Sequence, residues 1–281
     1  MTDLFVPVYP SVVYDLPAEI YHRTWPCLST SGEKKILSSC PSIFKWEVDH
    51  PDEASKTKSL TFGDLAHAIL LGQVHRYGPL PTGHNGTTKE GKEATASVIA
   101  DGKTPVKRDV WDAAHEMTRV VLAHLILGKV YASGKAEVSM FWRDQEFGVN
   151  CRARADWLPD YMPIVLDYKT AESCSRDALQ KALLNYGYAL QAVHYEEACQ
   201  ETMDAENSFL LAFQEKTPPY PVVIAQPDEA AMAYARKKIR RARAIFADCL
   251  ETGIWPGYAD SDVVQLGLPS WALKREEFDD E

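Results

Sequence analysis

The chain has 281 residues, 46% hydrophobic and 25% charged, an ordinary balance for a globular protein, long enough for one large domain or a core domain with an appendage. Its net charge of −10 excludes a global positive field that would draw it to nucleic acid, so any DNA contact needs a local basic groove or a bound cation. The cysteines at 27, 40, 151, 174, 199 and 249 form no Cys-x-x-Cys pair, which argues against a zinc ribbon or iron–sulfur cluster and for reduced, buried thiols in a cytoplasmic protein.

Residues 1–20 read as an extended lead-in without the basic start and apolar core of a signal peptide. Thr30-Ser31-Gly32-Glu33 has capping-box spacing and predicts a helix over 31–39. Pro41 stops it and opens a second helix through Trp46. Phe44 and Trp46 read as core, and Lys34, Lys35 and Lys45 as solvated charges, with phosphate contact the alternative. A helix over 61–71 follows, with Gly63 and His67 on one face. Gly63 would let another backbone approach. His67 reads as a core imidazole or, beside carboxylates, as a metal ligand. Residues 76–106 carry Gly, Pro, Thr and Lys without an apolar period and predict a long mobile loop. A helix is expected over 108–127. The most apolar helical stretch, Val120 to Ala132, is short and contains His124 and Lys129, so no membrane span is expected.

Two strands are expected next, over 137–142 and 146–157. In the second, Phe147, Val149, Cys151, Ala153 and Ala155 fall on one face, and Asn150, Arg152, Arg154 and Asp156 on the other. A third, over 164–169, is a short apolar run ending in Asp167 and Lys169, which share a face because strand side chains alternate. A carboxylate beside a lysine suits holding a hard divalent cation next to a positioned water; a strand-end ion pair is the plainer reading. A single long helix over 176–200 places Gln191 and Tyr195 one turn apart. Strands over 208–214 and 220–225 close the sheet. The last helix, over 227–251, carries Lys237, Lys238, Arg240, Arg241 and Arg243 as a solvated basic face or a DNA or subunit contact. Gly253 to Tyr258 forms a turn-rich anchor, and the acidic tail, about 274–281, reads as disordered.

Four signatures stand in order: Gly63-Asp64-Leu65-Ala66-His67, Asp156, Asp167-Tyr168-Lys169, and Gln191-Ala192-Val193-His194-Tyr195. Together they resemble the RecB-like branch of the PD-(D/E)xK nuclease superfamily. Cys151 to Asp156, Leu166 to Thr170, Tyr21-His22, Leu28-Ser29 and Trp255 to Tyr258 further resemble the C-terminal nuclease domain of the RecE (exonuclease VIII) family of phage and prophage origin. The resemblance implies an α/β (α+β), restriction-endonuclease-like core with a central mixed β-sheet flanked by helices. It implies a single nuclease domain over 1–281, with its core at about 18–258.

The implied activity is a Mg²⁺-dependent 5′-to-3′ exodeoxyribonuclease on linear duplex ends, leaving 3′ overhangs for a single-strand annealing protein. Mn²⁺ would substitute, with one or two ions per site. By residue-wise transfer, His67, Asp156, Asp167 and the Tyr168 backbone carbonyl would be ligands, with Glu137 acting through water or on a second ion. Lys169 would orient or activate the attacking water, its pKa lowered by burial and the ion. Gln191 and Tyr195 would position Lys169 or a phosphate. Arg152 and Arg154 would bind phosphates of the scissile strand, or else form structural salt bridges. The family's ring tetramer, with DNA in the channel, would reconcile an acidic chain with a DNA substrate in the cytoplasm of a bacterial host. An endonuclease or a nuclease of other polarity on the same core, and a catalytically silent protein that binds DNA ends, are the alternatives.

Overall fold

The alternation along residues 147–159 builds the centre of the sheet. In a computed structural model that describes residues 5–51, 62–83, 88–259 and 263–268, Cys151, Ala153 and Ala155 are buried on one side of strand β5 (Asn150–Pro159). β5 forms an antiparallel hairpin with β4 (Gly134–Arg143), Val138 opposite Ala155 and Met140 opposite Ala153. The turn is longer than the expected 143–145. Gly148 takes φ +65°, and Asp144 Oδ1 accepts the Phe147 N–H at 2.7 Å, so residues 146–148 belong to the turn and not to the strand. β6 (Ile164–Ala171) runs parallel to β7 (Ser208–Glu215), in register from Ile164–Ser208 to Ala171–Glu215. With β1 (Ser11–Val13) and β8 (Val222–Ala225), the mixed sheet has the order β1-β4-β5-β6-β7-β8.

A parallel pair needs a crossover, here two helices rather than the one expected: α8 (Arg176–Asn185) and α9 (Tyr188–Met203). Gly187, at φ +61°, separates them. α9, α10 (Glu229–Thr252) and α2 (Thr30–Ser38) cover one face of the sheet, packing Ile36, Val193 and Phe246 against Trp142, Val165 and Phe209. α4 (Phe62–Leu70) and α6 (Arg108–Ala123) cover the other, packing Leu65 and Met117 against Leu166 and Ala212. Each such side chain stabilises the fold by about 1.5–3 kcal/mol. No helix among the described residues is long and apolar enough to cross a membrane.

Several local expectations change. α2 is capped by Ser29, whose side chain accepts the Gly32 N–H; Glu33 turns inward instead of completing a capping box. α3 (Pro41–Asp49) buries Phe44 but leaves Trp46 47% exposed, stacked on His50. The helix expected through 127 stops at Ala123, and the short α7 (Leu127–Val130) follows. Residues 76–106, expected as an irregular loop, contain α5 (Lys89–Ala100) between β2 (Tyr77–Pro79) and β3 (Thr104–Val106), which pair in parallel. Thr88 caps α5 through the Gly91 N–H. Most of α5 is solvent-facing, so its sequence has little apolar period to read. The acidic tail at 274–281 lies outside the described residues.

The basic face expected on α10 also divides. Lys237, Arg240 and Arg241 are exposed, whereas Arg243 is 2% exposed. Its Nε donates to Glu33 Oε1 at 2.9 Å and its Nη1 to Asp144 Oδ2 at 2.7 Å and Glu197 Oε1 at 2.5 Å. Glu33 Oε2 also lies 3.0 Å from His194 Nδ1. Burial alone would raise the Glu33 pKa, but His194 and Arg243 hold it below the usual carboxylate range. Its contribution to stability is therefore complete above the unfolded value of about 4.3 and fades as pH falls through the depressed folded value. Arg243→Met leaves buried carboxylates without their common partner and should cost about 3–5 kcal/mol in urea unfolding at pH 7. A loss within 1 kcal/mol would show that the network does not hold the helix layer to the sheet.

Candidate active site

β5 and β6 pair at a single position, Trp157–Leu166, and part immediately beyond it. The next residues on the two strands are Asp156 and Asp167. Parting strands leave backbone groups that need other partners. The β5 edge finds them in the N-terminal segment and in α9. The Leu28 N–H donates to Asn150 O at 2.8 Å, and the Arg152 N–H to Leu28 O at 2.9 Å. His194 Nε2 lies 2.9 Å from Arg152 O, and the Tyr195 hydroxyl donates to Arg154 O at 2.8 Å. Tyr195 thus holds β5 next to Asp156, and not Lys169 or a phosphate, the role that the family resemblance implied.

Into the gap come the side chains singled out by sequence. Asp156 faces away from the Ala155 core, toward α4, where His67 Nε2 is 2.9 Å from its Oδ2. Asp167, 1% exposed, pairs along β6 with Lys169, whose Nζ is 2.5 Å from Asp167 Oδ2. Gln191 Nε2 donates to Asp167 Oδ1 at 2.6 Å, so Gln191 positions the carboxylate and not the lysine. The Tyr168 ring points into the opposite core and its hydroxyl donates to Gln214 Oε1 at 2.7 Å.

The charges explain the pairing. Asp167 is pushed up to about 6, first by burial and then by the neighbouring Asp156. Asp156 is held down: burial would raise it, but His67 and then Lys169 outweigh burial. His67 is raised, Asp156 outweighing burial. Lys169 is likewise raised, because Asp167 and Asp156 outweigh the burial that would lower it. Burial alone therefore does not depress this lysine, because its two anionic neighbours hold the proton on it.

The expected ligands His67, Asp156 and Asp167 therefore stand as two ion pairs. Among the described residues no three His, Cys, Asp or Glu side chains converge closely enough to hold one ion as they stand. The donor set nevertheless fits a divalent cation. Asp156 Oδ2 and Asp167 Oδ2 are buried with no hydrogen-bond donor aligned on them, although His67 and Lys169 lie at ion-pair distance. Two adjacent anionic oxygens with an imidazole alongside suit a hard or borderline cation.

Three further expectations are corrected. Glu137 takes φ +56°, between the register pairs Ala136–Trp157 and Val138–Ala155, across from Asp156. Its carboxylate is turned to Arg154 Nε, not to the gap. Arg152 is spent on the end of α1 (Ala18–His22), donating to Tyr21 O at 2.8 Å, Thr24 O at 2.6 Å and His22 O at 3.2 Å. Arg154 donates to Leu16 O at 2.9 Å and shares the Tyr21 ring with Arg152. Both guanidiniums clamp the N-terminal segment to β5 and not a phosphate, and Arg154 forms with Glu137 the structural salt bridge that was the alternative reading. Sequence reasoning also missed Glu33 and Arg243 as partners; nothing in local spacing signals a contact between residues 210 apart.

A family model described as "PDDEXK-like domain of unknown function (DUF3799)" matches residues 29–264. No curated protein sequence matches significantly. Among solved structures, a protein of Eubacterium rectale named "Putative exonuclease" aligns with a TM-score of 0.60 at 12% identity, covering 93% of this chain and 98% of its own. That likeness is one of fold: the neighbour shares the restriction-endonuclease-like arrangement of a central mixed sheet between helices. The structure of SSO0001 aligns at a TM-score of 0.37 and 14% identity over 78% of this chain and 77% of its own, too weak a likeness to argue from.

Gly63 lets α4 approach β6 closely enough for His67 to reach Asp156. A Cβ at Gly63 would meet Thr170 Oγ1 at 2.5 Å, and Thr170 is β-branched and stiff. The close neighbour is thus a side chain, where sequence had suggested a backbone. Gly63→Ala gains about 0.5–1 kcal/mol of helix propensity but should lose about 1–3 kcal/mol to overpacking, a net destabilisation in urea unfolding. Thr170→Ala should restore it. Stabilisation by Gly63→Ala alone would show that the approach is looser than described.

Proposed function

The chain belongs to the PDDEXK-like family DUF3799, and we propose that it is a divalent-ion-dependent deoxyribonuclease that degrades linear duplex DNA from its 5′ ends. The observation that carries the nuclease reading is the meeting of Asp156 and Asp167 where β5 and β6 part, with Lys169 on Asp167 and His67 on Asp156. PD-(D/E)xK nucleases generally use divalent metals. Asp156, Asp167, His67 and the Tyr168 carbonyl are the groups that would hold Mg²⁺ or Mn²⁺, with Glu137 reaching it only through water and only on leaving Arg154. When bound, such an ion supplies charge stabilisation for the phosphoryl transition state and an acidified water.

The protein's own groups do the rest. Gln191 fixes Asp167 Oδ1, so Oδ2 would take the cation once the Lys169 ammonium moves from it to the attacking water. Lys169, protonated, holds the attacking water against the phosphate and offsets negative charge as the fifth P–O bond forms. The β5 carbonyl contacts from α9 keep the gap open while β6 stays locked to β7.

The 5′ polarity, the 3′ overhang, the ring tetramer, the annealing partner and a bacterial cytoplasmic setting of phage or prophage origin rest on the resemblance to RecE-type nucleases. The Eubacterium rectale neighbour's name supports the exonuclease part. A ring would confine positive charge to an inner channel while the chain stays acidic outside.

The test is digestion of 5′-phosphorylated linear duplex, with closed circular duplex as control, in Mg²⁺ and in chelator. Wild type should consume only the linear substrate and only with Mg²⁺. Lys169→Ala should lose about 10²–10⁴-fold in rate while retaining DNA binding, and Asp167→Ala should lose activity and metal affinity together. Turnover of Lys169→Ala within a few-fold of wild type would reduce the Asp167–Lys169 pair to a structural ion pair.

A further inference from the structure

Lys34 sits on α2 beside the buried Glu33, and its side chain runs toward the Asp167–Lys169 pair. The stem packs on Gly187, where a Cβ would meet Lys34 Cε at 3.0 Å, Cδ at 3.4 Å and Cγ at 3.5 Å. Any larger residue at the break between α8 and α9 would push this stem away. The Lys34 ammonium is 5.8 Å from the centroid of the Tyr188 ring, and the Lys169 ammonium is also 5.8 Å from it. One tyrosine thus carries two lysines, and among the described residues only one of them has an anionic partner at ion-pair distance. Lys169 has Asp167; Lys34, half-buried, has no carboxylate at ion-pair distance among the described residues. Its neighbour Lys35 pairs with Glu47 at 2.5 Å, so acidic partners are within reach of α2 but not of Lys34.

A half-buried ammonium that shares an aromatic ring with a second ammonium is an unfavourable arrangement unless it gains an anion of its own. The Lys34 pKa is pushed down to about 8, by burial and then by Lys169, with Asp167 and Glu33 opposing. The Tyr188 ring provides only a weak compensating attraction.

We propose that Lys34 is a second phosphate-contacting ammonium of this site, engaging the nucleic-acid backbone at a phosphate next to the one that Lys169 faces. The proposal deepens the nuclease reading and rests on it for the identity of the anion. It also gives an acidic chain a local cationic contact at the point where a strand must be held. Lys34 contributes fixed charge and takes no part in proton transfer.

The experiment measures binding of a fluorescein-labelled linear duplex by anisotropy, in chelator to prevent cleavage, across a range of KCl. Lys34→Met keeps the stem on Gly187 and removes the charge; Lys34→Arg keeps the charge; Lys35→Gln is the control on the same helix. Lys34→Met should weaken binding roughly tenfold and lower the slope of log Kd against log salt by about 0.9, the value for one phosphate on duplex DNA. Lys34→Arg should keep the wild-type slope, and Lys35→Gln should change neither quantity. An unchanged slope in a Lys34→Met protein with wild-type melting would overturn the proposal, as would a wild type that does not bind the duplex. Failure of the nuclease reading is seen separately, as DNA bound by wild type but left uncut when Mg²⁺ or Mn²⁺ is added.

Discussion

Two carboxylates held side by side in a buried gap set the conditions for everything around them. Asp156 and Asp167 cannot both be ionised there without help, and the strain appears as the Asp167 carboxyl pushed up to about 6. His67 from α4, Gln191 from α9 and Lys169 from the same strand each relieve part of it. The gap exists because β6 leaves β5 after one register pair and commits to β7. β5 can bear that loss because Leu28, His194 and Tyr195 satisfy its exposed edge. The opening in the sheet is therefore built by hydrogen bonding around it as much as by the acids within it.

The supporting layers follow from this. Gly63 brings α4 onto Thr170, and Gly187 lets the chain turn between α8 and α9 while giving the Lys34 stem a surface. Arg243 ties α10 to Glu33 of α2, to Asp144 in the β4–β5 turn and to Glu197 of α9. These are the elements that place Lys34, Gln191 and the hydrogen bonds along β5. A buried network of this kind is expensive to break because removing one partner strands the rest. Its stabilisation is thus bound up with the geometry of the site some distance away.

Much of the site was legible because strand alternation is a strict period. Asp167 and Lys169 had to share a face, and Asp156 had to stand opposite Ala155. The mixed sheet between helices was implied by the family resemblance, and the observed strand order has it. What the period does not reveal is what covers a face. Arg152 and Arg154 were assigned to the correct side of β5, but α1 and Leu16 already occupy it. Gln191 and Tyr195 were correctly put on one face of α9, yet they reach different strands. Glu33 has the local spacing of a cap and becomes instead half of an ion pair with a distant helix. Lys34 reads no differently from Lys35 and Lys45, as a solvated charge or a phosphate contact, until Gly187 and Tyr188, far along the chain, fix where its stem lies. The helix at Lys89–Ala100 was missed for the opposite reason: it is too solvent-facing to leave an apolar trace.

Crystals soaked in Mn²⁺ and recorded for anomalous scattering would test the central claim most directly. A peak should lie between the carboxylates of Asp156 and Asp167, with His67 Nε2 turned to it and the direct His67–Asp156 contact released. No peak there at saturating Mn²⁺, with both ion pairs intact, would contradict it and leave the gap a structural feature of the sheet.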